Sequence, residues 1–372
     1  MYTRTVLVVL VVAAVAVPAV TGGAAAQQEC SFPVTRTDAT GTEVTVEEEP
    51  ERVVTLAPSA AQTMWEIGAK GKVVGVTKYA AYLEGAASRA NVSGGSRIVV
   101  IEQVVAQQPD LVLAPDVISN ETVRKLRAAG LTVYRFDAVG DFQGIYGKVR
   151  TIGRLTGECA GAAETIEGMK SRLGTVREAV EGEERPDAVY LFFGYTAGSN
   201  TFIDEIITAA GANNVAAQAN ISGYRQLNPE TVVYRNPDWL ILNSDDPAVP
   251  NSPAYNGTTA VQQNQTVVVP IEWLNQPAPR TVNAVVRLAK AFHPEAFAAA
   301  NATPTETATP AATTAATAPT ETETTAETTA KTASPTPASA TTASGSTPVG
   351  TPGFGLLAAA VALAALLARL RA

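Results

Sequence analysis

Histidine is almost absent, with His293 the only one in 372 residues. Metal sites built from histidine clusters are therefore not expected, and His293, near the end of the last helical stretch, suits a capping or surface role. Cysteine is nearly as scarce, with Cys30 and Cys159 alone. Basic residues are outnumbered, 27 Lys plus Arg against 35 Asp plus Glu for a net charge of −8, and they form no stripe. Nucleic acid is not an expected partner of such a chain. Two catalytic signatures are missing as well. Gly194-Tyr195-Thr196-Ala197-Gly198 has no serine at its centre and so is no nucleophile elbow, and no Walker-type phosphate loop is present. With no visible pair of nucleophile and base, a secreted hydrolase is the weakest reading.

Both ends stand apart from the rest. Residues 1–26 combine Arg4, an apolar run over 6–20 and Ala24-Ala25-Ala26, the layout of a secretory signal peptide cut after Ala26. Gln27-Gln28-Glu29 is not a lipobox, so Cys30 is expected in a disulfide with Cys159, as suits an exported chain with an even cysteine count. Residues 301–351 are nearly all Thr, Ala, Pro, Glu and Ser and cannot bury a core, which makes them a disordered, extended stalk. Residues 352–372 open on Pro352-Gly353-Phe354, continue as an apolar run and close on Arg369 and Arg371. This order resembles the PGF-CTERM sorting signal of halophilic archaeal surface proteins. The resemblance implies recognition by an archaeosortase and attachment at the cell surface. Six Asn-x-Ser/Thr triplets, the first at Asn91, are compatible with glycosylation.

The middle of the chain has an α/β rhythm. Residues 27–49 form an extension with a small hairpin around Gly41. Residues 50–140 follow as an N-terminal lobe. In it 52–57 is a strand, Pro58 stops the strand, Ser59 and Gln62 have capping-box spacing for a helix, Gly68 ends that helix, and 73–77 is the next strand. A short helix over 101–106, strands over 111–114 and 131–136 and a helix over 120–129 complete a mainly parallel sheet. Residues 141–184 carry two helices divided by Gly157, the second long enough to cross between lobes. The rhythm restarts over 185–300, with strands at 188–193, 239–243 and 266–270, short helices at 201–210 and 228–234, and one closing helix over 281–297. Two Rossmann-like α/β lobes joined by a long helix imply a cleft between them.

Arg52-Val-Val-Thr-Leu-Ala-Pro-Ser59, Gly75-Val-Thr77, Ile101-Glu102-Gln103-Val104 and Pro109-Asp110-Leu111-Val112 are matched in the second lobe by Pro237-Asp238-Trp239-Leu240. With these motifs the chain resembles the solute-binding proteins of ABC importers, in the class with a rigid interdomain helix that serves cobalamin, haem and iron chelates. The resemblance implies a monomeric receptor without catalysis or resident cofactor, whose partners are a permease and its ATPase. It implies docking on the permease through Glu102 and Glu230. Its ligand pocket would use Ser59, Ala60, Tyr79, Tyr195, Tyr224, Glu272 and Trp273, aromatics being suited to a large flat ring. Trp65 belongs instead to the core, and Gln276 stands where cobalamin binders have an arginine. A surface adhesin or structural protein on the same scaffold is the alternative reading.

Overall fold

Valine-rich runs too short for helices form the strands, and both larger sheets are parallel throughout. The computed structural model describes residues 30–95 and 98–301. The expected signal peptide, the expected stalk and the Pro352-Gly353-Phe354 tail lie outside the described residues, apart from Asn301. An antiparallel hairpin comes first, β1 (Val34–Thr37) with β2 (Glu43–Val46). Next come β3 (Val53–Thr55), β4 (Val73–Val76), β5 (Ala90–Asn91), β6 (Leu111–Ala114) and β7 (Val133–Arg135), in sheet order β5-β4-β3-β6-β7. The second half contributes β8 (Asp187–Tyr190), β9 (Tyr195–Ala197), β10 (Asn213–Asn214), β11 (Tyr224–Gln226), β12 (Trp239–Asn243) and β13 (Thr266–Val269). Four of these order as β10-β8-β12-β13, while β9 and β11 pair antiparallel.

Strand side chains alternate between cores. Leu111 and Leu113 of β6 enter one core while Val112 and Ala114 enter another; Ala188 and Tyr190 of β8 enter the first while Val189 enters a third. The first core is thus shared by the inner faces of both sheets. The Phe142–Thr156, Cys159–Val180 and Thr281–Phe292 helices fill it between them, through Ile145, Ile152, Ile166, Met169, Val176, Val285 and Leu288. Cys159–Val180, 22 residues and so about 33 Å long, packs on helices of both halves. Its approach is close: a Cβ on Gly161 would meet the Ile67 carbonyl oxygen at 2.0 Å. A disulfide joins Cys30 to Cys159 at its start.

Several local expectations change. The helix after β3 is Pro58–Glu66 with Ala57 as N-cap and no side-chain cap. Proline takes the first helical position, so Ser59 sits inside the helix and the Ser59/Gln62 pair is no capping box. Thr63 Oγ1 donates to the Ser59 carbonyl, and the Gln62 side chain leaves for other partners. The closing helix is two helices, Thr281–Phe292 and Pro294–Asn301, because Pro294 has no N–H and its ring disfavours helical backbone at His293. His293 stands at the C-cap of the first of them, the capping position expected, but is buried rather than on the surface, its Nε2 lying 3.1 Å from the Gly211 carbonyl oxygen. Trp65 is half-buried against the core, and its indole N–H donates to the Glu84 carbonyl.

Candidate functional site

In open parallel sheets the strand order reverses at a switch point, and the loops leaving the carboxyl ends of the strands there form a crevice. Here the reversals fall at β3 and β8, so the loops 56–59 and 191–195 lead into the site. The loops after β4, β6, β12 and β13 stand beside them.

The two halves are stitched together next to these loops. Gln62, fully buried, donates through Nε2 to the Tyr82 hydroxyl at 2.9 Å and to the Glu272 carbonyl at 3.1 Å, and its Oε1 accepts from the Arg280 N–H at 2.9 Å. The Tyr82 hydroxyl donates to Gln276 Oε1 at 2.7 Å, and Arg280 pairs with Glu66 at 2.7 Å. Burial pushes the Tyr82 phenol up to about 12, so it remains a hydrogen-bond donor at neutral pH. The segment from Glu272 to Arg280, which follows the last strand of the second sheet, is thereby held on the first helix of the first half.

Beneath lies a buried cation. Lys148, from the Phe142–Thr156 helix, donates to Ser59 Oγ at 3.0 Å and to the Pro277 carbonyl at 2.9 Å, one partner in each half. Burial lowers its pKa to about 8, opposed by the charge of Asp116 in the loop after β6. Burial also raises the Asp116 carboxyl, with Lys148 and then Arg135 pulling it back. The Asp116 charge reaches across the halves to Tyr224, whose phenol is pushed up first by burial and then by Tyr190 and Asp116. Tyr190 closes this polar layer, its hydroxyl donating to Asn275 Oδ1 and accepting from Asn243 Nδ2, each at 2.8 Å.

Aromatics stand over it. Phe193 and Gly194 both have positive φ, +46° and +78°, in the two-residue turn joining Phe192 to Tyr195. A bulky residue there is strained, and the Phe193 N–H donating to Asp246 Oδ2 at 2.5 Å helps to hold it. The Phe193 ring is left partly exposed at the end of β8. Tyr195 and Tyr224 both neighbour Phe192, at centroid distances of 6.0 and 6.2 Å.

Among the residues expected from sequence, Ser59 is buried and serves Lys148, while Tyr195 and Tyr224 are gathered by Phe192. Tyr79 occupies the turn after β4 with the Lys78 ammonium 5.1 Å from its ring, and Glu272 and Trp273 follow β13. Ala60 is corrected: it is 0% exposed inside its helix and has no surface to offer a ligand. Glu102 and Glu230 are apart from these loops, on two short exposed helices. Sequence reasoning missed Gln62 as a bridge, Tyr82, Asp116, Lys148 and Phe193. Only Phe193-Gly194, an aromatic before a turn glycine, carried a readable hint. A groove of about 410 Å³ along the Cys159–Val180 helix, lined by Gly68, Gly161, Arg172 and Arg280 among others, contains none of the pocket residues expected from sequence.

The family model described as "Periplasmic binding protein" matches residues 53–272. A cobalamin-binding protein of Halobacterium salinarum is 46% identical over 281 residues, covering 72% of this chain and 76% of the relative. A Bacillus subtilis protein described as an uncharacterized ABC transporter substrate-binding lipoprotein is 29% identical, over 72% of this chain and 87% of its own length. Among solved structures, a periplasmic heme-binding protein from Roseiflexus sp. RS-1 in apo form superposes with a TM-score of 0.61 at 24% identity, covering 66% of this chain and 99% of that one, a likeness of fold.

Proposed function

Because the chain belongs to the periplasmic binding protein family, we propose that it is the extracellular receptor of an ABC importer, binding cobalamin or a related corrinoid between its lobes and releasing it to the permease. The observation that carries the choice of ligand is the 46% identity to a cobalamin-binding protein over most of both chains. The cleft chemistry supports it. Tyr79 and Tyr82 from one lobe, and Phe193, Tyr195, Tyr224 and Trp273 from the other, supply flat apolar area, while Asp116 and Glu272 provide polar groups at its edge. A corrinoid combines a large ring with peripheral amides and uses both. Haem and ferric hydroxamates are the competing ligands.

The pocket assigned here is Ser59, Tyr79, Tyr195, Tyr224, Glu272 and Trp273, with Glu102 and Glu230 meeting basic side chains of the permease. The receptor performs no catalysis, works as a monomer and holds no resident cofactor. Its shared core and the bonds across Gln62 favour small changes of lobe angle over wide opening. Residues 301–351 act as the stalk, and Pro352-Gly353-Phe354 directs archaeosortase processing and attachment at the cell surface.

Tryptophan fluorescence during titration with cobalamin, haem and a ferric hydroxamate tests the ligand. Trp273 is expected to be quenched by cobalamin at one equivalent, and the quench is expected to vanish in Trp273→Phe. Saturation by haem or the hydroxamate with no response to cobalamin overturns the choice.

A further inference from the structure

One local device occurs twice in this chain. Residues 102–110 read Glu-Gln-Val-Val-Ala-Gln-Gln-Pro-Asp and residues 230–238 read Glu-Thr-Val-Val-Tyr-Arg-Asn-Pro-Asp. The structure treats the copies alike. Val104 and Val232 are buried, Gln108 and Asn236 have φ of +46° and +44°, and Pro109 and Pro237 are buried. Asp110 accepts from the Arg52 N–H at 2.8 Å and Asp238 from the Asp187 N–H at 2.9 Å, while their own N–H groups donate to the Arg52 and Asp187 carbonyls, both at 2.8 Å. Each short helix is therefore pinned to the start of the first strand in its own sheet.

What the device leaves outside is also repeated. Glu102 and Glu230 are exposed, and among the described residues neither has an ion-pair partner. Three residues after each stands an uncovered valine, Val105 at 37% and Val233 at 57% exposure, and Tyr234 beside the second is 83% exposed. The only other large exposed hydrophobic among the described residues is Phe193 in the cleft. Exposed apolar side chains on a pinned helix, beside a carboxylate without an ion pair and, in the second copy, with the Arg235 guanidinium 5.8 Å from the Tyr234 ring, have the composition of an interface centre with charged neighbours. The copies differ at one place that matters: Ala106 and Gln107 in the first correspond to Tyr234 and Arg235 in the second.

Resting on the reading that Glu102 and Glu230 meet the permease, we infer that Val105, Val233 and Tyr234 are the apolar anchors of that surface, and that Tyr234 makes the second lobe its stronger contact. The occupant is the extracellular face of the permease. It presents a basic side chain beside an apolar hollow at two places, complementary in charge to the two glutamates. A tyrosine buries more area than a valine and loses little side-chain freedom, so the binding energy concentrates on it.

The test uses the full chain and the permease with its ATPase in lipid nanodiscs, with cobalamin as ligand. Cobalamin affinity and receptor–permease association are measured for Tyr234→Ser, Val105→Ser, Val233→Ser and the pair Glu102→Arg/Glu230→Arg. Expected are unchanged cobalamin affinity in all of them, association weakened on the order of tenfold by Tyr234→Ser and severalfold by either valine change. If charge reversal abolishes association while the three serine variants bind like wild type, the inference is overturned and the docking reading stands. If charge reversal leaves association unchanged, the docking reading fails and takes the inference with it. Concentration-dependent self-association of the receptor, lost in Tyr234→Ser while permease binding persists, also overturns the inference by giving the patch to a second copy of this chain.

Discussion

Replacing Lys148 by methionine measures what a buried charge under the cleft costs. The residue is 6% exposed, and burial lowers its pKa from the ordinary 10.5 to about 8, with Asp116 opposing the fall. In the unfolded chain the lysine keeps its ordinary value. Between about pH 8 and 10.5 the unfolded state therefore binds the extra proton, and the folded state gains stability as pH rises. Below that window both states are protonated and the penalty is constant. The two pKa values together correspond to about 3 kcal/mol. Methionine has similar length and no charge, so its stability lacks this rise. It also gives up the bonds to Ser59 Oγ and Pro277, a loss of about 1–3 kcal/mol that does not vary over the same range. Urea unfolding of both proteins from pH 7 to 10.5 reads the difference, in which the titrations of groups that do not interact with Lys148 cancel. The stability of wild type relative to Lys148→Met is expected to climb by about 3 kcal/mol across the window. A difference that stays flat refutes the buried-cation argument.

Other perturbations probe the connections between the halves. Gln62→Leu leaves the Glu272 carbonyl and the Arg280 N–H without partners and is expected to cost about 2–4 kcal/mol in urea unfolding; a loss below about 0.5 kcal/mol would mean that the bridge is not formed in solution. Tyr190→Phe strands the Asn243 and Asn275 amides and should cost about 1–3 kcal/mol, while Phe at the exposed Tyr234 should leave stability unchanged. The Cys30–Cys159 link closes a separation of 129 residues, so the double serine variant should lose about 4–5 kcal/mol by the chain-entropy estimate, and equal denaturation midpoints for oxidised and reduced wild type would contradict it.

Much of the fold was legible because its strands are apolar runs closed by turn residues. Leu111–Ala114 and Trp239–Asn243 were found with their observed ends, each announced by Pro-Asp, and Gly68, Gly130 and Gly211 follow their helices with positive φ. The two-residue strands β5 and β10 were missed, since two residues carry no period. Likewise β9 and β11 lie in a glycine-rich stretch that reads as loop. The capping box at Ser59 failed because Pro58 can itself begin a helix, a choice that Ser-x-x-Gln spacing does not reveal. In the cleft, aromatics could be guessed from their place after strands, whereas Lys148 and Gln62 could not. Each lies on a helix whose local pattern is ordinary, and its role is set by partners 129 and 210–218 residues away.

The most direct test of the account is calorimetric titration of the mature receptor with cobalamin, comparing wild type, Tyr224→Ala/Trp273→Ala and Glu102→Arg/Glu230→Arg. One cobalamin per chain is expected, with affinity lowered at least tenfold in the aromatic variant and unchanged in the charge-reversed one. Absence of saturable binding in wild type, or equal affinity after removal of both aromatics, would contradict a ligand held between the lobes.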